Sequence, residues 1–424
     1  MHLGDGMTDV DLVPVAGNGL FDRRFFLKAS VVSGATLLSA KAPGVEREPW
    51  MNAPGVGVGE LGLPSDHEAH IKRVGIAVQA GTTGAGVSRT PLEHLDGIIT
   101  PSRLHFERHH SGIPEIDPDR HRLIVHGLVE RPLSFDLDAL ARYPMTSNIQ
   151  FLECSGNSFT LLDPSPPQRT CGELHGLVSV SEWGGVPLAI LLEEAGLRAD
   201  AKWIVADGGD AAVMSRSIPL EKALDDAIVA LYQNGERLRP SNGYPMRLFL
   251  PGWEGNASVK WLRSIEVTAE PAMSREETSK YTDLQSDGRS LMFTFPMGVK
   301  SVITNPSYGF TLGQRGMYQI SGIAWSGAGR IARVEVSADG GQSWADAVLD
   351  AQVLPQCLTR FRAAWRWDGS PAVIMSRAID ERGNVQPTRD TVAEGRANDT
   401  LLYHVNAIQA WHIGQNGTVT NVHA

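Results

Sequence analysis

The sequence predicts a mixed α+β domain followed by an all-β immunoglobulin-like sandwich. Three observations carry that expectation. Twenty-five prolines and 44 glycines in 424 residues punctuate a series of short β-like segments, which marks a turn-rich chain. Between residues 98 and 270 strand-like pieces alternate with short helical ones. From residue 301 onward helical spacing gives way to period-two alternation broken by glycine turns.

Taken in order, residues 1–42 read as a targeting segment. Asp22-Arg23-Arg24-Phe25-Phe26-Leu27-Lys28 precedes an apolar run from Ala29 to Ala40 that is too short and too rich in small residues to span a bilayer. Paired arginines before such a run form the bacterial twin-arginine pattern, which exports folded proteins to the periplasm. The plainer reading is the basic flank of an ordinary signal or a short amphipathic helix. Ala40-Lys41-Ala42 suits cleavage, although Pro43 follows it. Folded export implies a cofactor inserted before transit, an independent hint of a prosthetic group. No other stretch is long and apolar enough for a membrane span.

Residues 43–97 are glycine-rich with few apolar patches, Val74 to Val78 among them, and read as an extension that wraps a core or meets a partner. In the α+β region, 98–270, strands are expected at Leu123 to Gly127, Ile149 to Glu153, Trp203 to Ala206 and Arg247 to Leu250. Helices are expected at Pro187 to Ala195 and Leu220 to Ala223. Residues 271–300 are polar and lack periodicity, so they read as a linker. The last region, 301–424, shows alternation at Tyr318 to Trp325 and Ile331 to Ser337, then the turn Asp339-Gly340-Gly341, and keeps alternating to Ile413.

Composition narrows the function classes. Hydrophobic content of 42% and charged content of 20% fit ordinary globular domains with sizeable cores. A net charge of −10 without a long Lys/Arg run argues against nucleic acid as a partner. Cysteines 154, 171 and 357 make no disulfide framework in a chain this long.

Cys154 stands apart in Phe151-Leu152-Glu153-Cys154-Ser155-Gly156-Asn157-Ser158-Phe159. A β-prone stretch delivers one thiol onto a turn of Ser, Gly and Asn. One thiolate there suits a nucleophile or a soft metal ligand; the bland alternative is a buried structural cysteine.

Several clusters together resemble the sulfite oxidase family of molybdenum enzymes. Phe106-Glu107-Arg108-His109-His110, with Pro114, is similar to the family's F-x-R-N-H-x-P segment, and Cys154-Ser155-Gly156-Asn157 to its C-x-G-N. Leu231-Tyr232-Gln233-Asn234-Gly235-Glu236 resembles Y-x-M-N-G-x. Gly243-Tyr244-Pro245-Met246-Arg247 and Pro251-Gly252 resemble G-Y/F-P-x-R and P-G, and Ser258-Val259-Lys260-Trp261-Leu262 continues as V-K-W-L. Ala324-Trp325-Ser326-Gly327, Val334 to Trp344, Asn384-Val385-Gln386-Pro387 and Ala410-Trp411-His412 resemble its dimerisation domain. Each motif is weak singly; in consistent order over residues 98 to 413 they are strong.

The resemblance implies a molybdenum-molybdopterin cofactor, one per chain, with Cys154 as the protein's metal ligand. It implies that Phe106, Glu107, Arg108, His109, His110, Asp210, Asn242, Arg247, Ser258, Val259 and Lys260 line the cofactor, with Asp207 an alternative to Asp210. Arg108 would orient the anionic end of the substrate, and Tyr232 would assist proton-coupled electron transfer. Taken alone, Arg247 would be an exposed strand arginine, Tyr232 a core tyrosine, and the two histidines a surface pair.

Departures from the family pattern bear on substrate. Animal and plant members follow C-x-G-N with two arginines, where this chain has Ser158 and Phe159. A tryptophan of their anion pocket is replaced near Glu173, and an arginine before A-W-H is His404. A small dianion such as sulfite needs several surrounding cations. Phe159 and His404 are therefore candidate pocket residues for a sulfur group on an arm. Cys154 to Ser158, Asn242 to Pro245 and Pro251 to Asn256, with the twin-arginine leader, resemble the molybdenum subunit of bacterial sulfane dehydrogenases. That likeness implies oxidation of a carrier-protein cysteine persulfide, a homo-dimer through the last domain within a hetero-oligomer, and a separate c-type cytochrome as electron acceptor. The chain has no C-x-x-C-H for a haem of its own. Alternatives are a sulfite dehydrogenase using free sulfite, a methionine-sulfoxide reductase of similar fold, and a non-catalytic binding protein built on a degenerate scaffold.

Overall fold

The computed structural model describes residues 14–22, 48–78, 83–394, 396 and 403–424. Arg23, Arg24 and the apolar run of the expected signal lie outside the described residues. Among the described residues no helix is long and apolar enough to cross a membrane.

Strands β1 (Val74–Val78), β2 (Gly86–Arg89) and β3 (Glu107–His109) form an antiparallel sheet in chain order. The glycine-rich extension therefore wraps onto the next region and supplies the strand partner of Glu107, Arg108 and His109.

The α+β region contains β4 (Leu123–Gly127), β5 (Leu133–Phe135), β6 (Thr146–Glu153), β7 (Val178–Pro187), β8 (Trp203–Gly208), β9 (Ser215–Pro219), β10 (Ile228–Gln233), β11 (Glu236–Arg237), β12 (Arg247–Phe249) and β13 (Leu262–Thr268). They make two five-stranded sheets. One runs β11-β10-β7-β6 with β12 also on β10; the other runs β5-β4-β13-β8-β9. Only β4 and β13 pair in parallel within these sheets. The helix Leu188–Ala195 shows why the region holds together. Leu188, Leu191, Leu192 and Ala195 recur at helical spacing and are all fully buried, against Val125, Ile204 and Val229 among others. Each such leucine contributes about 1.5–3 kcal/mol of burial. Gly196 then ends the helix at φ +74, a backbone state that favours glycine.

The stretch expected to be a linker is a packed strap. Its Glu276–Lys280 turn buries Glu276 and Glu277, and Tyr281, Phe295 and Met297 are buried beyond it. Its polar composition conceals a wholly buried cluster. Arg216 Nε donates to Glu277 Oε1 at 2.8 Å and its Nη2 to Glu254 Oε1 at 2.9 Å. Glu277, which looks like part of a solvated spacer in sequence, is thus a partner of a buried arginine. A short hairpin, β14 (Asp283–Leu284) and β15 (Ser290–Leu291), closes the strap.

The C-terminal region is the expected sandwich, beginning at Lys300. It comprises β16 (Lys300–Asn305), β17 (Gly316–Trp325), β18 (Ile331–Ser337), β19 (Ala345–Asp346), β20 (Val348–Leu349), β21 (Thr359–Trp367), β22 (Ala372–Asp380), β23 (Ala410–Ile413) and β24 (Val419–Val422). One sheet runs β16-β17-β21-β20 and the other β19-β18-β22-β23-β24. Trp325, Trp365 and Trp411 are fully buried in the core between them. Each indole N–H finds an acceptor: Glu153 Oε2 at 2.6 Å, the Asn18 carbonyl at 2.7 Å and the Ile303 carbonyl at 3.0 Å. The first of these reaches into the α+β region. The core is continuous across the junction as well, since Phe151, Cys171, Leu174, Val178 and Val180 pack in the same cluster. Cys154, Cys171 and Cys357 are all free thiols.

Candidate active site

Strand β6 is half-exposed where it starts and fully buried over its last four residues, Gln150–Glu153. It ends at Glu153, and the chain turns at Cys154, closed by Asn157 N donating to the Cys154 carbonyl at 2.8 Å. Cys154 N donates to the Leu177 carbonyl at 2.9 Å, so the thiol is carried on a fixed turn. Close approach of Gly255 fixes the turn from the other side: a Cβ at Gly255 would lie 2.8 Å from the Glu153 carbonyl oxygen.

Cys154 lines a cavity with about 700 Å³ of empty space, counting its mouth open to solvent. Around it stand Phe106, Glu107, Arg108, His109 and His110 from β3 and its flanks, and Asp210. Asn242, Arg247, Ser258, Val259 and Lys260 also line the wall. Every expected cofactor-lining residue is therefore brought to one place, and Asp210 rather than Asp207 lines the wall.

Three cations converge here. Arg247 is buried, not an exposed strand arginine; its Nη1 donates to the Asn242 carbonyl at 3.0 Å and its Nη2 to the Ser258 carbonyl at 2.6 Å. Burial lowers its guanidinium to about 9. Lys260 Nζ donates to the Arg108 carbonyl at 3.1 Å, to His109 Nδ1 at 2.7 Å and to the Ser241 carbonyl at 3.2 Å. Burial, reinforced by Arg247, lowers the ammonium well below its ordinary value. With His109 accepting at Nδ1, its proton sits on Nε2, 3.5 Å from Glu107 Oε2. Arg108 Nη1 donates to the His109 carbonyl. The residue after Lys260, Trp261, holds φ +53, an uncommon strain for a bulky side chain, and its ring lies 4.4 Å from Lys260 Nζ.

The remaining titratable groups are tuned by the same enclosure. Burial would raise the Glu107 carboxyl, but hydrogen bonds from His109 and Arg73 take it down to about 2. Burial lowers His105 to about 3, and burial with the Arg108 charge does the same to His110. Burial raises the Cys154 thiol, opposed by the Gly156 amide and Arg108.

Three expected residues fall elsewhere. Tyr232 lines a separate hollow with Met145, Ser147, Glu182 and Gly184, its ring beneath the Arg237 guanidinium at 5.0 Å. Its place in β10 opposite Gly184 sets that direction. Phe159 is 36% exposed at the start of a short helical turn and is not in the cavity wall. His404 is also outside the wall: its Nε2 bonds Glu254 Oε2 at 3.2 Å while its backbone N donates to the Ser155 carbonyl at 2.8 Å. Glu173 forms a reciprocal helix cap with Thr170, which occupies its carboxylate.

The tyrosine in the wall is Tyr281, from the strap. Its hydroxyl lies 3.0 Å from His110 Nε2, and its ring lies under Arg216 at 5.0 Å. Burial, then the Cys154 charge, raises the phenol, so it stays protonated beside the neutral His110. Sequence reading missed it because it sits in an aperiodic polar stretch; the signal was one aromatic beside two acids that had no visible partner. His105, Ser241, Asn256 and Trp261 were missed as lining residues too.

Residues 110–276 match the oxidoreductase molybdopterin binding domain and residues 292–410 the Mo-co oxidoreductase dimerisation domain. The chain is 43% identical to a chain in the crystal structure of the sulfane dehydrogenase SoxCD from Paracoccus pantotrophus, with a TM-score of 0.86 over 89% of this chain and 98% of that one. It is 32% identical to sulfite oxidase of Gallus gallus over 333 residues, 72% of this chain and 71% of that protein.

The chain belongs to the sulfite oxidase family of molybdopterin enzymes.

Mitochondrial sulfite oxidase of Rattus norvegicus is 31% identical over 348 residues, and the chain spans 61% of its length. Family membership makes the sandwich a dimerisation domain. The cavity fits the family's cofactor on its own terms. Buried polar atoms of its walls, His105 Nε2, Asp210 Oδ1 and Asn256 Oδ1, have no hydrogen-bond partner among the described residues. Such orphans call for a polar ligand. Three cations around them suit a phosphate, and one thiol suits a soft metal.

Proposed function

We propose that the protein oxidises sulfane sulfur carried as a persulfide on a carrier-protein cysteine, with molybdenum-molybdopterin held at Cys154. The observation that carries this is the cavity itself: one thiol on a fixed turn, facing Arg108, Arg247 and Lys260 and walled by unpartnered polar atoms. When bound, the molybdenum centre supplies two-electron oxidation with oxygen-atom transfer.

The chain's own residues have distinct parts. Cys154 is the metal ligand. Arg247 and Lys260, with Ser258 and Asn242, form the cationic wall that takes the pterin phosphate. Arg108 orients the anionic end of the substrate. Tyr281, protonated and hydrogen-bonded to His110, takes the role expected of Tyr232: it holds a proton at the cavity wall. Electrons leave to a c-type cytochrome partner, since the chain has no C-x-x-C-H of its own. The Arg23-Arg24 pair before an apolar run supports folded export to the periplasm.

Sulfane sulfur is favoured over free sulfite by the 43% identity to the sulfane dehydrogenase chain, against 32% to the sulfite oxidase of Gallus gallus. A sulfite dehydrogenase is the second reading, favoured by the three cations that remain. Steady-state assay of holoenzyme with its cytochrome decides: carrier-bound persulfide should be oxidised with the higher kcat/KM. Far better turnover of free sulfite would overturn the assignment.

A further inference from the structure

One buried charge outside the cavity acts on both ends of the Cys154 turn. Lys300 opens β16 in the dimerisation domain and is 1% exposed. Its Nζ donates to Ser158 Oγ at 2.5 Å and to the Val405 carbonyl at 3.0 Å, and lies 3.4 Å from Glu153 Oε1. Glu153 immediately precedes Cys154, and Ser158 ends the same turn. A single ammonium therefore ties residue 153 to residue 158 from another domain.

The other bonds of the cluster leave it little freedom. Glu153 Oε1 also accepts from Asn157 Nδ2 at 2.9 Å, and Oε2 accepts from Trp325 Nε1 at 2.6 Å. Ser158 Oγ, having accepted from Lys300, donates to His175 Nδ1 at 2.8 Å. Ser158 holds φ +66, a conformation a serine keeps only when its surroundings fix it. All six side chains, Glu153, Asn157, Ser158, His175, Lys300 and Trp325, are buried. Apart from His175 Nε2, which has no partner among the described residues, the polar atoms of the cluster are satisfied, and a cluster this enclosed is costly when one member is removed.

We propose that Lys300 is a positioning residue for Cys154: its ammonium, delivered from the dimerisation domain, clamps the 153–158 turn and fixes where the thiol points. The proposal rests on Cys154 as metal ligand only for its spectroscopic consequence.

Lys300→Met leaves Glu153 unpaired, so it is compared with the double variant Lys300→Met/Glu153→Gln, which removes both charges, and with Ser158→Ala, which removes one anchor alone. Hydrogen–deuterium exchange of the holoenzyme reads the Cys154 and Asn157 amides, and electron paramagnetic resonance reads the reduced molybdenum centre. Exchange at the two amides should rise about tenfold in both Lys300 variants and less in Ser158→Ala, with strands β17 and β21 unchanged. The molybdenum signal should shift in the same order, even where the double variant melts like wild type. Should Lys300→Met fail to fold, the other two variants carry the comparison. Exchange that rises everywhere together, or a double variant with wild-type exchange, makes Lys300 a fold residue only and overturns the proposal. Faster turn exchange with an unchanged metal signal overturns it too, and Cys154→Ser then shows separately whether Cys154 ligates the metal.

Discussion

Tyrosine substitution separates the geometry from the motif. Tyr281→Phe deletes one hydroxyl, 3.0 Å from His110 Nε2, and keeps the ring that stacks under Arg216 at 5.0 Å. The fold should lose about 1 kcal/mol, the worth of one buried hydrogen bond. Activity should fall much further, because a positioned proton donor contributes about 10²-fold or more to rate. Tyr232→Phe keeps its ring beneath Arg237 in a different hollow and should leave kcat within about twofold, as surface changes away from a site do. The assay is steady-state turnover at matched molybdenum content, with a thermal melt for each variant. A large loss in Tyr232→Phe with none in Tyr281→Phe would refute the assignment of the wall tyrosine.

Arg247→Ala strips the donors from two buried carbonyls, Asn242 and Ser258, each costing about 1–3 kcal/mol; melting temperature and molybdenum occupancy should both fall, and unchanged occupancy would leave Arg247 as a wall residue only. Acid should destabilise the cofactor-free protein early. His105 and His110 titrate at about 3 when folded against an ordinary 6.5, so the unfolded chain takes up protons that the native state refuses as pH falls from 6.5. Glu107 and Glu254, at about 2 against an ordinary 4.5, add a second loss as pH falls from 4.5 toward 2. Unfolding free energies from urea titrations should therefore fall between pH 7 and 4, by up to about 1.4 kcal/mol per pH unit for each histidine; a flat profile would contradict the buried neutral histidines. Lysines at Arg23 and Arg24 should strand the protein in the cytoplasm, and cofactor-loaded double variant in the periplasm would count against folded export.

What could be read from the sequence follows from how local the cause was. The run from Phe106 to His110 and the Ser258-Val259-Lys260 run are contiguous motifs that arrive whole at the cavity, and the Cys154 turn delivers its thiol there. The sandwich was legible because period-two alternation is a local signal. Tyr281 and the Arg216 cluster were not, because their meaning lies in contacts between residues far apart in the chain. Glu277 looks like a spacer residue until Arg216 is placed 2.8 Å away. Tyr232 misled for a related reason: its neighbour Gln233 faces inward, to Ser181, but period two turns the tyrosine to the other side. Phe159 and His404 were read as pocket residues, yet the chain leaves one partly exposed and turns the other to Glu254.

The most direct test of the account is X-ray absorption at the molybdenum edge, on wild-type holoenzyme and on Cys154→Ser. A soft thiolate from Cys154 predicts that the variant loses one sulfur from the metal's coordination sphere while retaining the cofactor's own. An identical sulfur count in the two proteins would mean that Cys154 does not bind the metal, and the central claim would fall.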